Sequence, residues 1–307
     1  MQGSASTGAS EPAILTRELT KSYGRVRALE GVDLEVQRGE IFGFLGPNGA
    51  GKTTTIRCLL DMIRPDGGTV RVLGLDPQTD PLSVHARTGY LPGELHLDEN
   101  LSVEKALRFL GALRSARVDW GRVRNLADRL DLDFGTPIKQ LSKGNKQKVG
   151  LIQAFMHQPE LLLLDEPTSG LDPLLQQETL RLVEHARAQG ATVFFSSHVL
   201  SEVQEIADRV GIIRQGRVVE VAETDALIQR SVRRVRLRFR DAVPVANLAA
   251  IPGVTILSEG EGGSLLIQAE GEMDSLIKAL ARYPVVELDT ERPSLEEVFL
   301  AYYAAEE

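Results

Sequence analysis

The densest chemistry in this 307-residue chain lies in eight residues, Gly46-Pro47-Asn48-Gly49-Ala50-Gly51-Lys52-Thr53. Their pattern is G-x-x-x-x-G-K-[ST], a phosphate-holding loop. Glycines let the backbone turn tightly and aim successive N–H groups at an anion. The helix that begins at Gly51 adds the positive end of its dipole. Lys52 brings a full charge to the β- and γ-phosphates of a nucleotide, and the Thr53 hydroxyl is placed for Mg²⁺. A second pair of groups stands at Asp165 and Glu166, closing the apolar run LLLLDEP. A buried strand can carry two acids at its carboxyl end, where open α/β sheets bind ligands. Asp165 would hold Mg²⁺ through water, and Glu166 would orient and deprotonate the attacking water.

These groups need strands that end beside one another. GEIFGFLG is a short buried-strand pattern ending in glycine, just before the loop. GKTTTIRCLLDMI follows with helical spacing, which predicts Ile56, Leu59, Leu60 and Ile63 on one face. LLLLDEP and TVFFSSH are further apolar strands, the second ending at His198. RVGIIRQGRVVEV predicts a hairpin turning at Gln215–Gly216. Strand and helix patterns alternate from residue 12 to 228, which indicates an α/β core. A mostly helical insertion is expected at about 95–158. From 229 to 307 the order is β-α-β-β-α-β plus one helix, a ferredoxin-like order in a small α+β accessory domain. Val235, Leu237 and Phe239 alternate with arginines there, a one-sided strand. The arginines from Arg234 to Arg240 are read as protection of a sheet edge. Phe299, Tyr302 and Tyr303 are expected to pack in the last helix. Residues 1–11 are expected to form a disordered tail.

Over residues 14 to about 225 the chain resembles the nucleotide-binding subunits of ABC transporters. Six stretches match in the family's order. KSYGRVRALEGVDLEVQRGE resembles the opening strands, with Tyr23 at the adenine-stacking position. GPNGAGKTT resembles Walker A, which implies nucleotide contacts from Gly46, Asn48, Gly49, Ala50, Gly51, Lys52, Thr53 and Thr54. LSKGN lies where the signature motif would be. LLLLDEP resembles Walker B, SGLD the D-loop, and His198 the switch histidine. The resemblance implies a P-loop ABC ATPase core with a helical subdomain, two ATP molecules sandwiched in a dimer, Mg²⁺ on Thr53 and Asp165, and catalysis by Glu166, His198 and Lys52. An aromatic such as Tyr23 stacks on a base of any identity. Ser142 can cap the helix after it, and Gly144 leaves backbone N–H groups bare, a second anion site. The family places that site against the γ-phosphate of the opposite subunit, and Asp172 would link the two sites. Lys143, Lys146 and Lys148 are read as a solvated helix face.

Two positions depart from the pattern. GYLPGEL puts Gly93 where the family has glutamine, so either Glu94 substitutes or water completes the Mg²⁺ shell. LSKGN replaces LSGGQ but keeps Ser142 and Gly144. Near the end, PSLEEVFLAYY resembles the tail domain of exporter-type subunits of the ABC-2, drug-resistance-like class.

Composition bounds the rest. No run reaches the ~18–20 apolar residues of a membrane span, so the resemblance to transporter subunits implies a separate membrane permease as partner. The other partner is a second copy or a sibling ATPase subunit. The first residues lack a basic start and an apolar core, so no secretory signal is read. A cytoplasmic protein, peripheral on the inner face of the cell membrane, is expected. A single cysteine, Cys58, on an apolar helical stretch reads as a packed thiol. The net charge of −8 argues against general nucleic-acid binding. An importer subunit shares the core motifs, and only the tail favours export. A soluble ABC-type ATPase acting on ribosomes or DNA is the remaining alternative. It is disfavoured by the single nucleotide module and by the absence of sustained heptads in the roughly 110 residues between the Walker motifs.

Overall fold

The structure, a computed structural model, describes residues 11–113, 118–230, 233–241, 245–260, 263–269, 273–291 and 295. Contacts partition the chain into two compact units, residues 1–221 and 222–307.

The first unit opens with the hairpin β1 (Ile14–Tyr23) and β2 (Val26–Val36), then β3 (Ile41–Leu45), the phosphate loop and α1 (Lys52–Leu59). β4 (Gly67–Val72), α2 (Pro81–Arg87) and β5 (Thr88–Leu91) follow. Next come the helices α3 (Val103–Ala112), α4 (Trp120–Arg129) and α5 (Lys143–Phe155). β6 (Leu161–Asp165), α6 (Pro173–Ala188), β7 (Thr192–Ser197), α7 (Leu200–Ile206), β8 (Arg209–Arg214) and β9 (Arg217–Glu223) bring the chain to the boundary.

The central sheet has the order β5-β6-β7-β3-β8-β9. β5, β6, β7, β3 and β8 run parallel. Such strands are covered on both faces, so they read as unbroken apolar runs. Leu161 to Leu164, Val193, Phe194 and Phe195 are all fully buried. Phe194 stacks on Phe42 at 5.7 Å and tilts against Phe44 at 5.2 Å, which ties β7 to β3. A smaller antiparallel sheet, β2-β1-β4, completes the unit. The turn between β8 and β9 falls at Gln215 (φ 48) and Gly216 (φ 76), the left-handed pair that a tight hairpin requires.

Two local expectations change. α1 ends at Leu59, and Asp61 turns left-handed at φ 50, so Ile63 lies beyond the helix. Ile56, Leu59 and Leu60 are buried and Ile63 partly so, so the apolar face survives without the last turn. The three lysines of α5 do not form one solvated face. Lys148 is buried, and its Nζ donates to the Asp131 carbonyl at 3.0 Å. At about 100° per residue, position 148 points well away from 143, toward the body of the unit.

In the second unit, α8 (Thr224–Arg230), β10 (Arg233–Phe239), α9 (Val245–Ala249), β11 (Val254–Gly260), β12 (Ser264–Ala269), α10 (Asp274–Leu280) and β13 (Val285–Glu291) follow in order. The antiparallel sheet runs β11-β12-β10-β13. Val235, Leu237 and Phe239 point into a core with Leu248, Ile267, Leu276 and Leu280. The arginine strand is therefore interior, not an edge. Arg236 and Arg238 stand opposite Asp289 and Glu287 on β13, and Arg238 bonds Glu287 at 2.9 Å. Cross-strand pairing of opposite charge fits the alternation. The expected terminal helix with Phe299, Tyr302 and Tyr303, and residues 1–10, lie outside the described residues.

Candidate nucleotide site

Parallel register brings three strand ends together. Leu45 of β3 pairs with Ser197 of β7, and Asp165 of β6 pairs with Ser196. The phosphate loop, the two acids and His198 therefore leave the sheet along one edge. Gly46 and Gly51 are required by close approach. A Cβ on Gly46 would lie 2.5 Å from the Ile213 carbonyl oxygen, and one on Gly51 2.7 Å from that of Ala28. Gly51 also sits at φ 115, where side chains are strained. Gly49 faces open space, as a loop that receives a ligand must.

Lys52 is 6% exposed. Its Nζ donates to the Gly46 carbonyl at 2.6 Å and the Pro47 carbonyl at 3.2 Å, and lies 3.8 Å from Glu166 Oε1. Burial pulls its pKa below the ordinary value, and the charges of Glu166 and Asp165 act in the opposite direction. Thr53 Oγ1 donates to Asp165 Oδ2 at 2.7 Å. Glu166 has φ 51, an uncommon left-handed conformation for a glutamate. Its Oε2 meets His198 Nδ1 at 3.1 Å. Ala28, Pro47, Asn48, Gly49, Gly51, Lys52, Thr53, Thr54 and Glu166 line a small shared pocket.

Lys52, Thr53, Asp165, Glu166 and His198 are thus brought together. Tyr23 stands at the end of the β1–β2 hairpin, 47% exposed, with Lys21 Nζ 5.8 Å from its ring centre. Ser142 caps α5 by accepting from the Asn145 N–H at 3.2 Å. Gly144 has a reason of its own: a Cβ there would lie 2.7 Å from the Gly170 carbonyl oxygen. Asp172 caps α6, accepting from Leu174 and Leu175 N–H at 3.1 Å each. Tyr23, Ser142, Gly144 and Asp172 are not among the residues lining the phosphate-loop pocket. Glu94 is exposed, along a separate groove, while a Cβ on Gly93 would lie 3.3 Å from Asp165 Oδ2. Cys58 is buried, and burial pushes its thiol up to about 11.

Three further residues belong to the site. Ser196 Oγ donates to Asp165 Oδ1 at 2.5 Å and accepts from the Glu166 N–H at 3.1 Å. Gln147 Nε2 donates to the Glu166 and Pro167 carbonyls at 3.0 and 3.2 Å. Ala28 forms the wall behind Gly51. The serine pair ending an apolar strand was the available signal for Ser196; Gln147 and Ala28 carried none.

The donor set fits Mg²⁺ and nucleotide. A hydroxyl and a carboxylate are hard oxygen ligands, and Mg²⁺ is held by one or two such groups with phosphates and water. Among the described residues no group of three or more His, Cys, Asp or Glu could hold a metal by itself, as a protein-only cage would require.

A parallel sheet with a phosphate loop, paired acids and a histidine at adjacent strand ends defines a P-loop ATPase. Residues 29–169 match the ABC transporter family, and residues 226–303 match the C-terminal domain of DrrA1-3-like ATP-binding proteins. The daunorubicin/doxorubicin resistance ATP-binding protein DrrA of Streptomyces peucetius is 35% identical over 305 residues, covering 94% of this chain and 92% of that one. The bacitracin transport ATP-binding protein BcrA of Bacillus licheniformis is 36% identical over 237 residues, 74% of this chain and 75% of the relative. A solved ATP-binding subunit of an ABC transporter superposes with a TM-score of 0.65 at 29% identity, over 70% of this chain and 91% of that one. The chain belongs to the family of ABC transporter ATP-binding subunits, nucleotide-binding ATPases coupled to transport.

Proposed function

We propose that the chain hydrolyses Mg²⁺–ATP at a dimer interface and so powers a separate membrane permease, an exporter of drug-like cargo. The observation that carries hydrolysis is Glu166, held between Lys52 and His198. Glu166 takes the proton of the attacking water, and His198 hydrogen-bonds the γ-phosphate. Lys52 and the loop N–H groups of Asn48 to Thr54 hold the phosphates. Thr53 and Asp165 hold Mg²⁺, which when bound neutralises charge developing on the phosphates. Water rather than Glu94 completes that shell, a reading supported by the exposed position of Glu94.

Dimerisation is supported by the place of the capped α5 N-terminus. Ser142 and Gly144 do not line the phosphate-loop pocket of their own chain, and they sit at the α5 N-terminus, whose first-turn N–H groups have no partner within the helix and could serve the γ-phosphate of a second copy or a sibling subunit. Tyr23 supplies a stacking face for adenine, and Asp172 joins the sites across the dimer. For the permease, a groove of about 900 Å³ lies beside the Gly93–Glu94 loop, lined by Arg57, Leu82, His85, Glu94, His96 and Leu113. Leu82 and Leu113 are 82% and 69% exposed there. No helix among the described residues is long and apolar enough to cross a membrane. Association with the membrane through such a partner, on the side where ATP is supplied, completes the reading. Export is supported by the relatives' drug-resistance and bacitracin transport names.

The test is Glu166→Gln in the full chain. Turnover should fall to near zero while ATP still binds, and an ATP-loaded dimer should accumulate on size exclusion. Normal turnover would remove Glu166 as the base.

A further inference from the structure

A buried carboxylate behind the site has no part in the chemistry described so far. Glu202, in the first turn of α7, is 6% exposed. Its Oε2 accepts from Ser197 Oγ at 3.1 Å, and the Thr168 side chain is a second polar neighbour of the carboxylate. Burial raises its pKa, and Thr168, Ser197 and His198 act in the opposite direction, with Glu166 adding to the rise. A buried acid costs stability to the extent that hydrogen bonds and charges do not offset its lost solvation.

Its reach is informative. Ser197 and Val199 flank His198, and the Ser197 hydroxyl accepts from the Val199 N–H at 2.9 Å. That hydroxyl has a single proton and two acceptors, the Val199 carbonyl at 3.3 Å and Glu202 Oε2 at 3.1 Å. The carboxylate is the nearer and stronger acceptor. With it in place, the hydroxyl proton points into the protein and a lone pair faces the Val199 N–H. The residues on both sides of His198 are then fixed from beneath. The His198 side chain is 53% exposed and meets Glu166 at 3.1 Å, so it does little by itself to hold the turn.

We infer that Glu202 is a positioning residue for hydrolysis, which through Ser197 holds the Ser197–Val199 turn so that His198 meets Glu166 and the γ-phosphate. This rests on the reading of His198 as the γ-phosphate contact. Misplacement by about 1 Å can cost roughly a hundredfold in rate.

The experiment measures steady-state ATPase activity and ATP affinity of the full chain for Glu202→Ala, Glu202→Gln, Ser197→Ala, the Glu202→Ala/Ser197→Ala double variant and His198→Ala. We expect kcat to fall about 10–100-fold in Glu202→Ala and in Ser197→Ala, with ATP affinity within about twofold of the parent. The double variant should be no worse than the poorer single one, because both remove the same link. Glu202→Gln, whose amide oxygen still accepts from Ser197, should recover most of the rate. Full activity in Glu202→Ala, additive losses, or failure of glutamine to rescue would overturn the inference. His198→Ala separates the two levels. If it is inactive while Glu202→Ala and Ser197→Ala are normal, only the positioning role falls. If His198→Ala is itself fully active, the role of His198 at the phosphate falls, and this inference with it.

Discussion

Lys52 is almost wholly buried, and two carbonyls of its own loop and two carboxylates partly offset the cost of keeping it charged there. A charge held in that place at the phosphate loop is the residue-scale feature on which the phosphate-binding reading rests. Lys52→Ala should weaken ATP binding by roughly 10–100-fold, about 1.5–3 kcal/mol for a hydrogen bond to a charged group. Titration with a fluorescent ATP analogue checks it, and unchanged affinity would sink the phosphate-loop assignment. Lys52, Thr53, Asp165 and Glu166 were legible because their chemistry is written in contiguous residues. The bonds that hold them were not. Ser196 reaches Asp165 only because β6 and β7 pair in that register, and Gln147 reaches Glu166 from a helix 19 residues upstream. No local pattern encodes either distance. The left-handed Glu166 was equally hidden, since nothing in the DEP sequence marks a positive φ.

At the scale of elements, β7 joins stability to function. Phe194 packs beside Phe42 and Phe44 of the neighbouring β3, and the same strand carries Ser196 and Ser197 and ends just before His198. Phe194→Ala should lower the stability of the first unit by about 3–5 kcal/mol, the usual cost of removing a buried aromatic ring. Urea unfolding should show it as a lower midpoint at unchanged slope. A loss under about 1 kcal/mol would mean that the neighbouring rings collapse into the space. The element types themselves were readable, because parallel strands buried on both faces leave unbroken apolar runs such as LLLL and VFF. Their neighbours were not. The arginine strand alternates as an edge strand would, and only the pairing of β10 with both β12 and β13 reveals it as interior. Lys148 misled in the same way. A lysine in a polar-looking helix start reads as solvated until a distant carbonyl, that of Asp131, meets it.

At the scale of the whole molecule, each unit has an apolar cluster that lies wholly within it among the described residues. One, around Phe42, Phe44 and Phe194, supports the nucleotide site. The other, around Val235, Leu237 and Ile267, lies wholly in the second unit. A unit with its own core can unfold cooperatively by itself, so the full chain should melt in two transitions rather than one. Every residue assigned to ATP or Mg²⁺ here, from Tyr23 to His198, lies in residues 1–221. A ligand stabilises only the state that binds it, by about 2.7 kcal/mol at a hundredfold excess over Kd. For a unit of this size that corresponds to a rise of roughly 5–10 °C in midpoint. Calorimetry of the Glu166→Gln chain, which keeps ATP intact, should therefore show one transition climbing with ATP and Mg²⁺ while the other stays in place. A single transition that moves as a whole would mean that the second unit senses the nucleotide. The tail would then belong to the working cycle of the ATPase rather than merely accompany it.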